Sequence, residues 1–138
     1  MVKAPETYIV TNGNGKEAVE FYKNIFNAEV TSLKTWKDMN PNCPVEHQDM
    51  LINAQLEFDG LRLQLSDENP EHTFQQGKNM SVAAIVDSIE ESQAIYDGLK
   101  VNAQEISLEL QETFFSPAYA NLVDQYGVMW QINTELGE

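Results

Sequence analysis

Two kinds of hydrophobic spacing alternate along the chain, and their succession occurs twice. From Glu6 to Thr11 apolar and polar residues alternate, with Tyr8 and Val10 on one face, the mark of a strand. Asn12-Gly13-Asn14-Gly15 is a turn. From about Lys16 to Phe26 the spacing changes: Ala18, Phe21, Tyr22 and Ile25 form a helical stripe, and Asn27 suits the exit. Val30 to Trp36 returns to strand, with Val30 and Leu33 on its buried side, and Asp38 to Asp49 reads as a polar, proline-containing loop. Met50–Phe58 and Leu61–Leu65 flank Asp59-Gly60, a hairpin signal because both residues accept positive φ. Leu61, Leu63 and Leu65 share one face of that hairpin, and Arg62 and Gln64 share the other.

After a charged, weakly periodic stretch from Ser66 to Lys78 the succession starts again. Met80 to Val86 predicts a strand, and Asp87 or Ser88 caps a helix with Glu90 or Glu91 three residues on. That helix runs to about Leu99 with Ile95 and Leu99 buried, followed by strands at Ala103–Leu110, Ala118–Val123 and Val128–Asn133. Local echoes keep one order: Phe21-Tyr22 with Ile95-Tyr96, Asn27-Ala28-Glu29 with Asn102-Ala103-Gln104, and the six residues from Gly60 with the six from Gly127. A duplicated unit explains that order. The expected fold is α+β, with tandem βαβββ modules over 1–68 and 78–138, a linker at 69–77, and curved mixed sheets around a cleft. Two ferredoxin-like units, or one irregular α+β domain, fit the same pattern.

Composition narrows the partners. The 138 residues include 22 acidic and 8 scattered basic ones, a formal charge of −14. Such a chain repels phosphate backbones and anionic lipid, so neither nucleic acid nor membrane is an expected partner. No stretch approaches the roughly 20 apolar residues of a membrane span. Cys43 is the lone cysteine and cannot form an internal disulfide, which fits a reducing, cytoplasmic setting. It lies between Pro41 and Pro44 without a flanking positive charge, the surroundings of an inert thiol.

Several segments in order resemble one superfamily: Asn12 to Ala18 running into Phe21-Tyr22, Phe26 to Glu29, Leu65-Ser66-Asp67, Glu112 to Phe115, and Asp124 to Ile132. Together they are similar to the vicinal-oxygen-chelate proteins, which include glyoxalase I, extradiol dioxygenases and bleomycin-resistance proteins, and most of all to the PhnB-like branch. The resemblance spans nearly the whole chain and implies a single glyoxalase-like domain over 1–138. In the superfamily's metalloenzymes the first and last strands of each module supply His and Glu ligands. Matched here, those positions fall on Thr7, Ser81, Gln64 and Gln131, with Glu6 or Met80 replacing the strand positions if the match slips by one residue. Neutral amides and hydroxyls are poor ligands for a divalent ion, and His47 and His72 lie in loop-like segments. The resemblance therefore implies the cleft without the usual metal or any other cofactor.

The leading expectation is a binding protein for an unidentified small molecule, working as a homodimer. Thr7, Ser81, Gln64 and Gln131 would supply donors and acceptors, and Trp36, Phe114 and Trp130 flat walls. Core packing explains the same aromatics. A lyase or isomerase would need a carboxylate, and Glu57, Asp59, Asp67, Glu112 and Asp124 are available; Glu112, beside Thr113-Phe114-Phe115, stands out. A drug-sequestering protein is a special case of binding, and a structural protein with a collapsed cleft is the third class.

Overall fold

The computed structural model describes residues 1–137. The chain divides into two compact units, Met1–Gln75 and Gln76–Glu138. Each holds a four-stranded mixed sheet with at least one helix, an α+β architecture, and no closed barrel forms among the described residues.

In the first unit, β1 (Thr7–Thr11) leads into α1 (Gly15–Phe26), then β2 (Glu29–Thr35), β3 (Leu51–Phe58) and β4 (Leu61–Asp67), with strand order β1-β4-β3-β2. The β1–β4 pair is parallel and the rest antiparallel. Helix α1 lays Ala18, Val19 and Tyr22 onto Ile9, Leu51, Ala54, Leu56, Leu63 and Leu65, all buried. Each fully buried large side chain contributes about 1.5–3 kcal/mol before entropy is counted. The helix ends at Asn27 with φ 51°, as its sequence implied. Asp59 and Gly60, at φ 50° and 75°, make the tight β3–β4 turn.

The second unit repeats this plan. It contains β5 (Val82–Val86), a second long helix (Ile89–Leu99), β6 (Glu105–Gln111), β7 (Tyr119–Val123) and β8 (Met129–Thr134), in the order β5-β8-β7-β6. Of the two cap candidates Ser88 serves, accepting from the Glu91 N–H at 3.1 Å. Even the irregularities recur, because edge strands β2 and β6 both lose register near their starts, after Val30 and after Ile106. Bulges of this kind twist an edge away from further pairing.

Several expectations are corrected. Trp36 is not in a strand; it opens a one-turn helix, α2 (Trp36–Met39), that straddles the end of the expected strand and the start of the expected loop, and a 3₁₀ turn forms farther along that loop at Val45–His47. The cause is a capping box: Thr35 accepts from the Asp38 N–H, and Asp38 accepts from the Thr35 N–H at 2.9 Å. The Thr35 backbone N–H first, and the Thr35 side chain second, hold the Asp38 carboxyl below its ordinary pKa. Leu33 pairs with Ala54 yet is 36% exposed on its edge strand, and Leu61 is 62% exposed at the hairpin tip. Strand β4 runs on to Asp67, past the expected start of the connecting stretch.

That extra length places a carboxylate in the core. Asp67 is buried and accepts from the Thr11 hydroxyl (2.8 Å), the Gly15 N–H (2.9 Å) and the Leu51 N–H (2.8 Å). One side chain thus ties β1, the start of α1 and the start of β3. The space it needs explains Gly15, whose added Cβ would lie 2.9 Å from an Asp67 oxygen. In the second unit Asp124 plays a comparable part in the β7–β8 turn, accepting from the N–H groups of Tyr126 and Val128 and from the Trp130 indole at 2.8 Å. The connecting segment ends pinned to the same turn: Gln76 exchanges hydrogen bonds with Gln104 and fills the space beside Gly127.

Replacing Gly by Ala at a helical position ordinarily stabilises. Gly15→Ala is expected to do the reverse, lowering stability by about 1–3 kcal/mol because the clash partner is pinned. Asp67→Asn should cost about 1–3 kcal/mol by giving up charge-assisted bonds. Urea unfolding of both variants checks this.

Candidate functional site

Helix α1 covers one face of the first sheet; the opposite face carries side chains that β pairing sets in rows. Gln64 lies opposite Gln55, and Tyr8 lies beside Gln64 in the parallel pair. These groups close a ring of hydrogen bonds. Gln64 Nε2 donates to Glu6 (2.9 Å), and Arg62 grips both Glu6 oxygens from Nε (2.9 and 3.0 Å), with Nη2 2.7 Å from Oε1. Arg62 Nη1 donates to Gln55 (3.4 Å), Gln55 to Asn53 (3.2 Å), and Asn53 back to Gln64 Oε1 (3.1 Å). The same Asn53 amide reaches the Tyr8 hydroxyl at 3.4 Å.

The second sheet repeats the plan with uncharged groups. Gln131 Nε2 donates to the Ser81 hydroxyl at 2.8 Å, and its Oε1 accepts from the Tyr119 hydroxyl at 2.6 Å. Asn121, opposite Gln131, donates to Tyr119 at 3.2 Å. Beside Tyr119 in the same ladder lies Asn133, whose Oδ1 is buried without a hydrogen-bond partner.

The equivalence of the two faces is exact in register. Thr7 pairs with Leu63 and Val82 with Trp130, so Glu6 and Ser81 occupy matching places just before those residues. The one-residue slip therefore applies to the first strand: Glu6 meets Gln64, while Thr7 shares the helix-covered face with buried Leu63. Trp130 is also on the covered face, 3% exposed and bonded to Asp124, so it is a core residue rather than a wall beside Gln131. Trp36 is half-buried at the start of α2, Glu112 is exposed, and Phe114 is fully exposed on the β6–β7 loop. The structure thus brings Ser81 to Gln131 and leaves Thr7, Trp36 and Trp130 elsewhere. Sequence reading passed over Tyr8, Asn53, Gln55, Tyr119 and Asn121. Period-two alternation carried the signal for the first face, since Gln55 and Gln64 stand equally far from the Asp59-Gly60 turn.

A divalent metal does not suit this donor set. With the one-residue slip, the positions that the resemblance implied for ligands hold two amides, a hydroxyl and one carboxylate, and the Arg62 guanidinium already neutralises that carboxylate. Among the described residues no three His, Cys, Asp or Glu side chains gather as a metal cluster. The turn before α1 offers no anion cradle either, because Asp67 holds the Gly15 N–H. Of the five carboxylates considered as acid or base, Glu57, Asp59 and Glu112 are exposed, and Asp67 and Asp124 are buried with their oxygens engaged.

The sequence profile of the 3-demethylubiquinone-9 3-methyltransferase family matches residues 5–133. The chain belongs to that family. This 3-demethylubiquinone-9 3-methyltransferase family member is PhnB-like, and its fold is the one that the vicinal-oxygen-chelate resemblance implied. It is 27% identical to Protein YjdN of Escherichia coli K12 over 91% of each chain. Among solved structures it resembles PA1353 from Pseudomonas aeruginosa, with a TM-score of 0.87 and 23% identity over 99% of this chain and 100% of that one. It also resembles a putative 3-demethylubiquinone-9 3-methyltransferase, PhnB protein, from Bacillus cereus, with a TM-score of 0.77 and 24% identity over 96% and 100%. A fosfomycin resistance protein, FosX, from Listeria monocytogenes, solved with manganese(II), shares the fold at a TM-score of 0.68 and 14% identity over 98% and 94%. No helix among the described residues is long and apolar enough to cross a membrane.

Arg62 first, and Gln64 second, hold the Glu6 carboxyl below its ordinary pKa of 4.5. Stabilisation from a lowered carboxylate is present above the unfolded pKa and is lost as pH falls through the folded one. Glu6 should therefore remain ionised below pH 4.5, and its contribution should fade only in more acidic solution. Carbon-detected NMR titration of Glu6 checks this, with Arg62→Gln expected to move its midpoint back up.

Proposed function

We propose that this chain binds a small molecule on the amide-lined sheet faces, without a metal, and works as a homodimer. The observation that carries the reading is the paired placement of Gln64 with Glu6 and Gln131 with Ser81 at matching positions of two duplicated sheets. Each amide is held by its neighbours in a defined orientation, so its remaining hydrogen-bonding capacity is presented at little entropic cost. The carboxylates supply no group poised for acid–base work, so sequestration or transport suits the site better than lyase or isomerase chemistry. The homodimer rests on sheet edges that need cover and on exposed apolar side chains, among them Tyr8, Val10 and Ile85 on the uncovered faces. The lone cysteine Cys43, 8% exposed, suits a reducing cytoplasm.

The test begins with metal content of protein purified without added metal, expected to be far below one ion per chain. A thermal-shift screen of small molecules follows, repeated on Gln64→Leu and Gln131→Leu. A ligand at a hundred times its Kd stabilises by about 2.7 kcal/mol, and each leucine variant should weaken binding roughly tenfold. Stoichiometric divalent metal, or hits indifferent to both substitutions, would overturn the reading. Light scattering should give twice the 15.6 kDa chain mass; a monomer at micromolar concentration would remove the dimer from it.

A further inference from the structure

The β6–β7 loop displays two phenyl rings to solvent. Phe114 is 101% exposed and Phe115 54%. Yet the loop beneath them is well built. The Thr113 N–H donates to the Ser116 carbonyl (2.9 Å), and the Ser116 N–H donates to the Thr113 hydroxyl (3.1 Å). The Ser116 side chain, 4% exposed, donates to the carbonyls of Ala118 (3.0 Å) and Thr134 (3.2 Å). The rings therefore stand on a fixed base rather than on a loose strap. They also form a ladder. Phe114 meets Phe115 edge to face with centroids 5.1 Å apart, and Phe115 meets Tyr119 likewise at 4.8 Å. The Tyr119 hydroxyl then donates to Gln131, so the aromatic ladder ends on the amide network of the second sheet.

The charge carried by this stretch of the sequence points to what would cover those rings. From Val101 to Glu138 the chain carries six acidic residues and no Lys or Arg. Two of them, Glu109 and Glu112, lie on the stretch leading into the loop. The nearest preceding cation in sequence, Lys100, is already engaged with Asp97 (3.3 Å) and the Tyr96 ring. An aromatic face attracts a cation through its quadrupole, and a field of carboxylates adds to that attraction while repelling anions.

We propose that the Phe114–Phe115–Tyr119 ladder is a subsite for the cationic end of the small molecule, an organic ammonium or a positively charged heteroaromatic ring. The inference rests on the small-molecule reading above and adds the charge of the ligand. Phe114, Phe115 and Tyr119 are its binding residues, and Glu112 contributes long-range attraction.

The test is an NMR titration of the full chain with three probes that share one ring and differ in charge: benzyltrimethylammonium, benzyl alcohol and benzoate. The cation is expected to shift the amide signals of Phe114, Phe115 and Tyr119, to bind at least five times more tightly than the alcohol, and to outcompete benzoate entirely. Phe114→Leu and Phe115→Leu, which keep the loop apolar, should each weaken cation binding roughly two- to fivefold. Benzyl alcohol binding as tightly as the cation would overturn the proposal, as would undiminished binding in both leucine variants. So would loop signals that broaden with protein concentration alone, since a second copy would then occupy the rings. A failed titration beside surviving, glutamine-dependent screening hits overturns the cation subsite alone. A successful titration without any glutamine-dependent hit overturns the amide-face reading alone.

Discussion

A helix covers only one face of the sheet on which it packs. In both halves of this protein that limit decides where every side chain goes. The covered faces hold the aliphatic core and two buried carboxylates, Asp67 and Asp124, whose oxygens accept bonds from the elements around them. The opposite faces cannot be built the same way while they meet solvent. They carry amides, hydroxyls and one ion pair, joined into lattices that satisfy each other. A polar group tied to its neighbours loses less on being covered than an isolated one would.

The two faces share a register and differ in chemistry. Glu6 in the first is Ser81 in the second, and the charged ring through Arg62 has no counterpart beside Gln131. Duplication has thus kept the geometry while the donors diverged. FosX shares the fold and was solved with manganese(II). In this chain Arg62 grips the one carboxylate of the amide-lined face, and Gln64 is oriented by its neighbours.

Most of the fold was legible because its signals were local. Asp59-Gly60 gave the hairpin, Asn27 the helix exit, and the common order of weak echoes the duplication. Errors came where a tertiary or capping effect overrode the local pattern. Trp36 reads as the end of a strand until Thr35 and Asp38 cap a helical turn. Thr7 and Glu6 are indistinguishable in sequence as partners of Gln64, because only the parallel β1–β4 register separates them. Trp130 looked like a pocket wall; its indole belongs to the Asp124 turn, a contact six residues away in sequence but defined by the fold of the turn. Within the candidate site, alternation marked Gln64 and Gln131 in the sequence, whereas choosing Glu6 over Thr7 needed the strand register.

The connecting segment has its own asymmetry. Its far end is fastened to the second sheet through Gln76, Gln104 and the space beside Gly127, whereas Asn69 bonds with its sequence neighbours Glu68, Glu71 and His72. Every strand ladder and both buried carboxylate clusters close within a single half. A backbone cut near Pro70 therefore severs no rung of either sheet. That makes this stretch the natural place to open new termini.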